Sequence, residues 1–202
     1  MNKFIQAGRI ELVLGPMFSG KSSEMFRRVL RHSLAQRKSI LAKYQKDHRQ
    51  LEETFKTVQL QKVNGNLKVQ GITKLADLDE QINDFQVLGI DEGQFYPDLF
   101  DKCLEYVRKD KIIIISALDG TFERKNFGQI PQLIPYSDDI IKLNAICNQC
   151  GQNAPFTHRI GIFKMKIMYC IVQNKETELV GWKGVYEPLC RCCFEKANPQ
   201  VL

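Results

Sequence analysis

The chain reads Gly15-Pro16-Met17-Phe18-Ser19-Gly20-Lys21-Ser22 near its N-terminus, and this stretch decides the fold. It fits the pattern G-x-x-x-x-G-K-[ST], in which the backbone N–H groups of a glycine-rich turn surround a phosphate group. The apolar residues 10–14 before it predict a buried strand, and the spacing of apolar residues over 22–30 predicts an amphipathic helix after it. This context indicates a phosphate-binding loop rather than a chance match. In such loops the lysine, here Lys21, reaches the β- and γ-phosphates, and the Ser22 hydroxyl takes a coordination position on Mg²⁺.

Strands and helices alternate along the first 145 residues. Further apolar runs predict strands at 39–44, 87–92, 111–118 and 140–145, and helical spacing predicts helices at 75–85 and 98–108. The run at 111–118 is the most apolar and is expected to be buried on both faces. Residues 45–70 are polar and contain a turn signal, so we expect a loop or a loose hairpin there. The alternation predicts an α/β fold with a mostly parallel sheet flanked by helices.

Two adjacent carboxylates, Asp91 and Glu92, end one of these predicted strands. In phosphate-loop enzymes an aspartate at such a place holds Mg²⁺. Neighbouring residues on an extended strand point to opposite faces, so the two groups are expected to do different work. One can serve the metal while the other takes a proton from a substrate hydroxyl as it attacks phosphorus. The alternative is an ordinary acidic pair at the end of a strand.

Six of the seven cysteines lie in the last 56 residues. Four of them form two C-x-x-C pairs separated by 39 residues, namely Cys147 with Cys150 and Cys190 with Cys193. Two such pairs can present four thiolates tetrahedrally, as structural zinc requires. Cys192 lies inside the second pair and is a less favoured ligand than Cys193. A redox dithiol is the alternative, and Cys103 and Cys170 are expected to pack as small apolar residues.

Helical periodicity disappears after the first 145 residues, where the cysteine pairs begin. The sequence therefore predicts a nucleotide-binding domain over residues 1–145 and a small zinc-binding domain over 146–202. A length of 202 residues suits one domain with such an appendage. The chain has no apolar run of the roughly 20 residues that a membrane helix needs, and residues 1–9 lack the apolar stretch of a signal peptide. We therefore expect a cytoplasmic protein without a membrane partner.

The net charge of +6 is unevenly distributed. Residues 1–70 carry 14 basic and 5 acidic side chains, which suits a polyanionic ligand. The ligand could be a nucleotide, or the chain could be a phosphate-loop ATPase whose zinc ribbon binds nucleic acid. The cysteine-rich segment has little excess of basic over acidic side chains, which argues against nucleic-acid binding. A solvated basic surface is the third interpretation.

Four motifs in order give the chain its resemblance to the type II, cytosolic-type thymidine kinase family. They are GPMFSGKS, the DEGQF of 91–95, the LDGTFERKNFG of 118–128 and the Y-x-x-x-C-x-x-C of 186–193. The resemblance runs from about Gly8 to Lys196. It implies transfer of the γ-phosphoryl group of ATP to the 5′-hydroxyl of thymidine with Mg²⁺, a step of pyrimidine deoxynucleotide salvage. It also implies a structural Zn²⁺, a homotetramer and feedback inhibition by thymidine triphosphate.

The resemblance assigns roles residue by residue. Glu92 matches the general base, and Ser22 and Asp91 match the Mg²⁺ site. The implied ATP-binding set is Gly15, Pro16, Met17, Phe18, Ser19, Gly20, Lys21, Ser22, Asp47, His48, Arg49, Asp91 and Gln94.

The family closes a lasso loop, held by the zinc domain, over the nucleoside base. Here the loop should run from about Thr177 to Tyr186, and Trp182 departs from the usual Gly-Gly pair. Arg159 is placed at the phosphate or the pocket edge. The implied nucleoside-binding set is Met17, Phe95, Leu118, Phe122, Phe127, Thr157, Thr177, Glu178, Leu179, Val180, Gly181 and Tyr186.

Overall fold

A six-stranded parallel sheet organises the N-terminal part of the chain. The computed structural model describes residues 7–45, 65–160 and 185–199. The strands are β1 (Arg9–Gly15), β2 (Ser39–Tyr44), β3 (Leu67–Ile72), β4 (Val87–Ile90), β5 (Ile112–Leu118) and β6 (Asp139–Lys142), in the spatial order β3-β2-β4-β5-β1-β6. All five pairings are parallel, which confirms the predicted sheet.

The central strand β5 is buried on both faces, as its sequence predicts. Ile113 and Ile115 pack into the larger hydrophobic core, whereas Ile112 and Ile114 pack into a second core on the other face. Successive side chains of a strand point to opposite faces, so a run of isoleucines contributes to both cores at once.

Helix α1 (Lys21–Leu34) covers one face of the sheet, where Met25 and Val29 enter the second core. It packs closely over β4 because Gly89 has no side chain: a Cβ there would lie 2.7 Å from Val29 Cγ2. The larger core is covered by a 3₁₀ helix (Leu75–Asp84), by α2 (Leu99–Val107) and by the short α3 (Ile130–Leu133), which a 3₁₀ turn (Ile134–Tyr136) follows. Among the described helices, none is long and apolar enough to cross a membrane.

The structure differs from the sequence expectations at several elements. Residues 67–70 belong to the parallel strand β3, so the predicted loop or hairpin was wrong there. As an edge strand, β3 has half-exposed and exposed side chains until its last residue, which removes the apolar pattern that would reveal it. The predicted helix at 75–85 is of the 3₁₀ type, and the last strand of the sheet begins and ends earlier than predicted, at Asp139–Lys142.

The C-terminal lobe, residues 145–160 and 185–199, has its own small core. Two antiparallel pairs form it, β7 (Ala145–Ile146) with β8 (Asn153–Ala154) and β9 (Phe156–Arg159) with β10 (Tyr186–Leu189), followed by α4 (Arg191–Ala197). The helix α4 was not predicted, because two turns are too short to show a clear apolar periodicity in the sequence. The core residues are Ala145, Cys147, Ala154, Leu189, Cys193 and Phe194.

Candidate active site and metal centre

The phosphate-loop motif lies between the end of β1 and the start of α1, as its sequence context predicts. Gly20, the residue before the helix, has a φ of 82°, a left-handed conformation that glycine adopts without steric penalty. The Lys21 ammonium donates a hydrogen bond of 2.7 Å to the Pro16 carbonyl, and the Ser19 hydroxyl donates one of 2.9 Å to the same oxygen. These contacts curl the loop at the N-terminus of α1, where the helix dipole favours an anion.

The Asp91 carboxylate faces the start of α1. Its Oδ1 accepts hydrogen bonds from Ser22 Oγ at 2.7 Å and from Ser116 Oγ at 2.6 Å. The two hydroxyls come from α1 and β5, so three elements fix one carboxylate that is only 8% exposed. A serine hydroxyl and an aspartate carboxylate side by side beside a phosphate loop are the donor set that holds Mg²⁺ in this class of site.

The backbone of Glu92 is not extended like that of the preceding strand. Strand β4 ends at Ile90, and Glu92 has φ 55° and ψ 48°, so the two carboxylates are not on an extended strand. The prediction that both lie on an extended strand was therefore wrong, and the division of roles between them stays a prediction. A left-handed backbone is uncommon for a residue other than glycine and is often found at functional sites.

Gln94 holds the Glu92 carboxylate from the side. Its Nε2 donates a hydrogen bond of 2.6 Å to Glu92 Oε2, and its Oε1 accepts one of 3.1 Å from the Leu118 backbone N–H. Gln94 is 5% exposed. The amide thus bridges the carboxylate to the end of β5, and the ATP-binding role that the resemblance assigns to Gln94 stays a prediction.

Several aromatic side chains of the expected nucleoside pocket contact one another or a neighbouring ring. Phe95 stacks on Tyr44 at 5.2 Å between ring centroids and meets Phe127 edge-on at 5.7 Å. Phe122 lies 6.4 Å from Tyr186, a residue of the C-terminal lobe. The structure therefore groups the expected nucleoside-binding aromatics as Phe95 with Phe127 and Phe122 with Tyr186.

Strand β9 of the C-terminal lobe also contacts the rest of the chain. The Met17 backbone N–H, in the phosphate loop, donates a hydrogen bond of 3.0 Å to Thr157 Oγ1. The Arg159 guanidinium lies 5.3 Å from the centroid of the Phe122 ring. One strand of the lobe therefore contacts both the phosphate loop and the segment after β5.

The four paired cysteines come together in the lobe. The sulfur atoms of Cys147, Cys150, Cys190 and Cys193 all lie within 4.8 Å of one another. Four thiolates bound tetrahedrally at the usual zinc–sulfur length stand about 3.8 Å apart, so this cluster has the right size for Zn²⁺. Cys192 is exposed and lies outside the cluster, which agrees with the preference for Cys193.

The protonation of the cluster also suits a bound cation. Burial alone would raise the pKa of the Cys147 thiol, but the backbone N–H groups of Cys190, Gln149 and Cys150 lower it to about 6. The pKa of Cys193 is raised by its hydrogen bond with Cys190, by burial and by the other neighbouring thiols. Thiolates this close together repel one another, and a divalent metal would supply the compensating positive charge.

Several expected site residues lie outside the described residues. They are Asp47, His48, Arg49, Thr177, Glu178, Leu179, Val180, Gly181 and Trp182, together with Cys170. Cys103 is described and packs in the larger core, where burial raises its pKa, as expected for an apolar role.

The structure also adds two residues that the sequence did not single out. Ser116 binds Asp91, and Tyr44 stacks on Phe95. A serine inside an otherwise apolar strand is the signal that could have indicated Ser116. Tyr44 carries no comparable signal, because a tyrosine at a strand end is ordinary.

Comparison with known proteins agrees with this geometry. The family model described as thymidine kinase matches residues 8–194. Thymidine kinases of vaccinia virus (strain Western Reserve), monkeypox virus and variola virus are each 40% identical to this chain over 190 residues, which is 94% of this chain and 98% of each relative. With the phosphate loop, the paired carboxylates and the cysteine cluster all inside the matched range, the chain belongs to the thymidine kinase family.

Proposed function

We propose that the chain transfers the γ-phosphoryl group of ATP to the 5′-hydroxyl of thymidine, giving thymidine monophosphate and ADP. The observation that carries the proposal is the convergence of the phosphate loop, Asp91 and Glu92 at the carboxyl ends of β1 and β4, in a member of this family. Ligands of parallel sheets bind at the carboxyl ends of the strands, so the three elements face one site.

Each side chain has a defined task in this transfer. The loop amides and Lys21 receive the phosphates of ATP, and Glu92 accepts the proton of the 5′-hydroxyl. The 5′-oxygen forms its bond to the γ-phosphorus as the bond to the bridging oxygen breaks, and ADP leaves. Ser22 and Asp91 would hold Mg²⁺, which would neutralise charge on the phosphates when bound. Asp47, His48 and Arg49 are proposed beside the phosphates.

The nucleoside pocket follows from the aromatic pairs. We propose that the base lies among the side chains of the residues that flank the carboxylates, with the backbone of 177–181 closing over it. The pocket side chains are Met17, Phe95, Leu118, Phe122, Phe127, Thr157 and Tyr186. Arg159, beside Phe122, would mark the pocket edge.

The remaining proposals concern the whole enzyme. The cysteine cluster supports a structural Zn²⁺, and the separate core of the lobe supports a boundary between domains 1–145 and 146–202. A homotetramer and inhibition by thymidine triphosphate rest on the resemblance alone, and a cytoplasmic location stays a prediction from the sequence.

A direct assay tests the proposed activity. Purified protein with ATP, Mg²⁺ and thymidine should form thymidine monophosphate, measured by chromatography. Deoxyuridine and deoxycytidine as competitors would define the preferred base. Absence of product from protein that holds zinc and binds ATP would contradict the proposal. ATP hydrolysis that is stimulated by DNA or RNA and falls steeply with salt would favour the nucleic-acid-binding alternative instead.

The contact between Gln94 and Glu92 gives a second prediction. Gln94→Ala should lower kcat by roughly 10- to 100-fold, with smaller changes in the KM values, because the general base loses the group that orients it. Gln129→Ala is the matched control, since the Gln129 side chain also accepts a backbone N–H, that of Phe100, but contacts no carboxylate in the hydrogen bonds described. Equal effects of the two substitutions on kcat would contradict an orienting role for Gln94.

A further inference from the structure

The segment between β5 and α3, residues 119–128, is a tight loop that carries Phe122 and Phe127. Hydrogen bonds to Thr121 close it: the Arg124 N–H donates to the Thr121 carbonyl at 2.9 Å, and the Lys125 N–H donates to Thr121 Oγ1 at 3.2 Å. Arg124 has a φ of 62°, a left-handed backbone that few residues other than glycine adopt. Because this conformation is unfavourable for arginine, we expect contacts from outside the loop to stabilise it.

That support lies in the C-terminal lobe. The Arg124 guanidinium carbon is 4.9 Å from the centroid of the Phe194 ring and 5.8 Å from that of Phe156. Both distances are within the range in which a cation is attracted to an aromatic face. Phe194 is 1% exposed and directly follows the cluster residue Cys193. The arginine thus rests on the part of the lobe core that adjoins the cysteine cluster.

We propose that Arg124 is a positioning residue through which the metal-bound lobe orders the 119–128 loop and, with it, the thymidine pocket. The inference rests on the proposed function, because it takes Phe122 as a pocket residue. Phe122 lies two residues before Arg124 and contacts Tyr186 and Arg159 of the same lobe. The loop is therefore attached to the lobe by the arginine and by the ring that would line the pocket.

Loss of the contact between Arg124 and the lobe is expected to affect the binding of thymidine rather than that of ATP. A loop that is ordered in advance binds thymidine without having to be immobilised by it, and a loosened loop weakens that binding. The contact of the phosphate loop with the lobe is a different one, from Met17 to Thr157, and does not involve Arg124. Loss of Arg124 should therefore weaken thymidine binding and leave ATP binding nearly unchanged.

The test compares Arg124→Ala with Arg191→Ala. Arg191 is the matched control because its guanidinium also lies over Phe156, at 5.0 Å, but it belongs to α4 of the lobe itself. Arg124→Ala should raise the KM for thymidine about 3- to 30-fold and change that for ATP by less than about twofold. Arg191→Ala should leave both KM values near those of the unmodified protein.

Two further measurements separate positioning from general support. Zinc content should be the same in both variants, and amide hydrogen exchange of Arg124→Ala should accelerate within residues 119–128. Arg124→Lys should restore part of the thymidine affinity, since it keeps the charge but not the planar group. In a Phe194→Leu background, the effect of Arg124→Ala should shrink, because the ring partner is already gone.

The outcomes are distinct. An unchanged thymidine KM with unchanged exchange in Arg124→Ala would overturn the inference. An equal rise of both KM values with loss of zinc would also overturn it, because Arg124 would then only hold the lobe together. If the unmodified protein makes no thymidine monophosphate, the proposed function fails, and the exchange of 119–128 still decides whether Arg124 orders the loop.

Discussion

Replacing Glu92 by glutamine is expected to lower kcat for thymidine phosphorylation by about 10²- to 10⁴-fold, the range typical of losing a general base. The amide has nearly the shape of the carboxylate but cannot accept the proton of the 5′-hydroxyl. The KM values for ATP and thymidine should change little, because the phosphate loop and the aromatic residues remain. Single-turnover measurements are the right readout, since slow product release could otherwise hide part of the effect.

Glu123→Gln is the matched control for that substitution. Glu123 is an exposed carboxylate that forms an ion pair of 2.7 Å with Lys125. Neutralising it should leave kcat within about twofold of the unmodified protein, because exposed ion pairs contribute little. If Glu92→Gln kept a similar rate of the chemical step, Glu92 could not be the base.

Asp91 could not readily replace Glu92 in that role. Its Oδ1 already accepts two serine hydroxyls, at 2.7 and 2.6 Å, whereas Glu92 is held on its Oε2 by Gln94. The position of Asp91 next to Ser22 suits a metal ligand instead.

The parts that the sequence predicted are those with strong local patterns. The phosphate loop carries its own glycine spacing, and the isoleucine run of β5 indicates a strand buried on both faces. The sequence did not predict strand β3, because a largely exposed edge strand does not need the apolar residues that would reveal it. The sequence placed the carboxylate pair on an extended strand, which was wrong, because the left-handed backbone of Glu92 precedes the turn Gly93–Phe95 and no periodicity reveals it. The different roles of the two carboxylates stay a prediction.

Residue patterns did not predict which side chains contact one another between the two parts of the chain, although the resemblance placed Met17 and Thr157 in one pocket. Thr157 and Met17 are 140 residues apart, and their hydrogen bond exists only because β9 packs beside the phosphate loop. The same holds for Arg124 and Phe194. Such pairs follow from how two surfaces fit together, and residue types alone give no sign of which partners will meet.

Removal of zinc is expected to have the other large effect. The described part of the C-terminal lobe has two short strand pairs, one two-turn helix and a core of six residues, which is too little to remain folded alone. Structural zinc contributes on the order of 10–16 kcal/mol in small peptides, so the lobe should unfold without it. Thymidine phosphorylation should then fall by roughly 10²-fold or more, since Phe122 loses Tyr186 and the phosphate loop loses Thr157.

Cys150→Ser and Cys192→Ser test this prediction as a matched pair. Both residues are exposed thiols of the same lobe, but only Cys150 belongs to the cluster, where its sulfur lies 3.6 Å from that of Cys190. Cys150→Ser should lose zinc, measured by elemental analysis, and lose thymidine phosphorylation, whereas Cys192→Ser should keep both. ATP binding should weaken less than thymidine binding in Cys150→Ser, because the parallel sheet and α1 have a separate core. A Cys150→Ser protein with full zinc and full activity, or a Cys192→Ser protein without zinc, would contradict the assigned ligands.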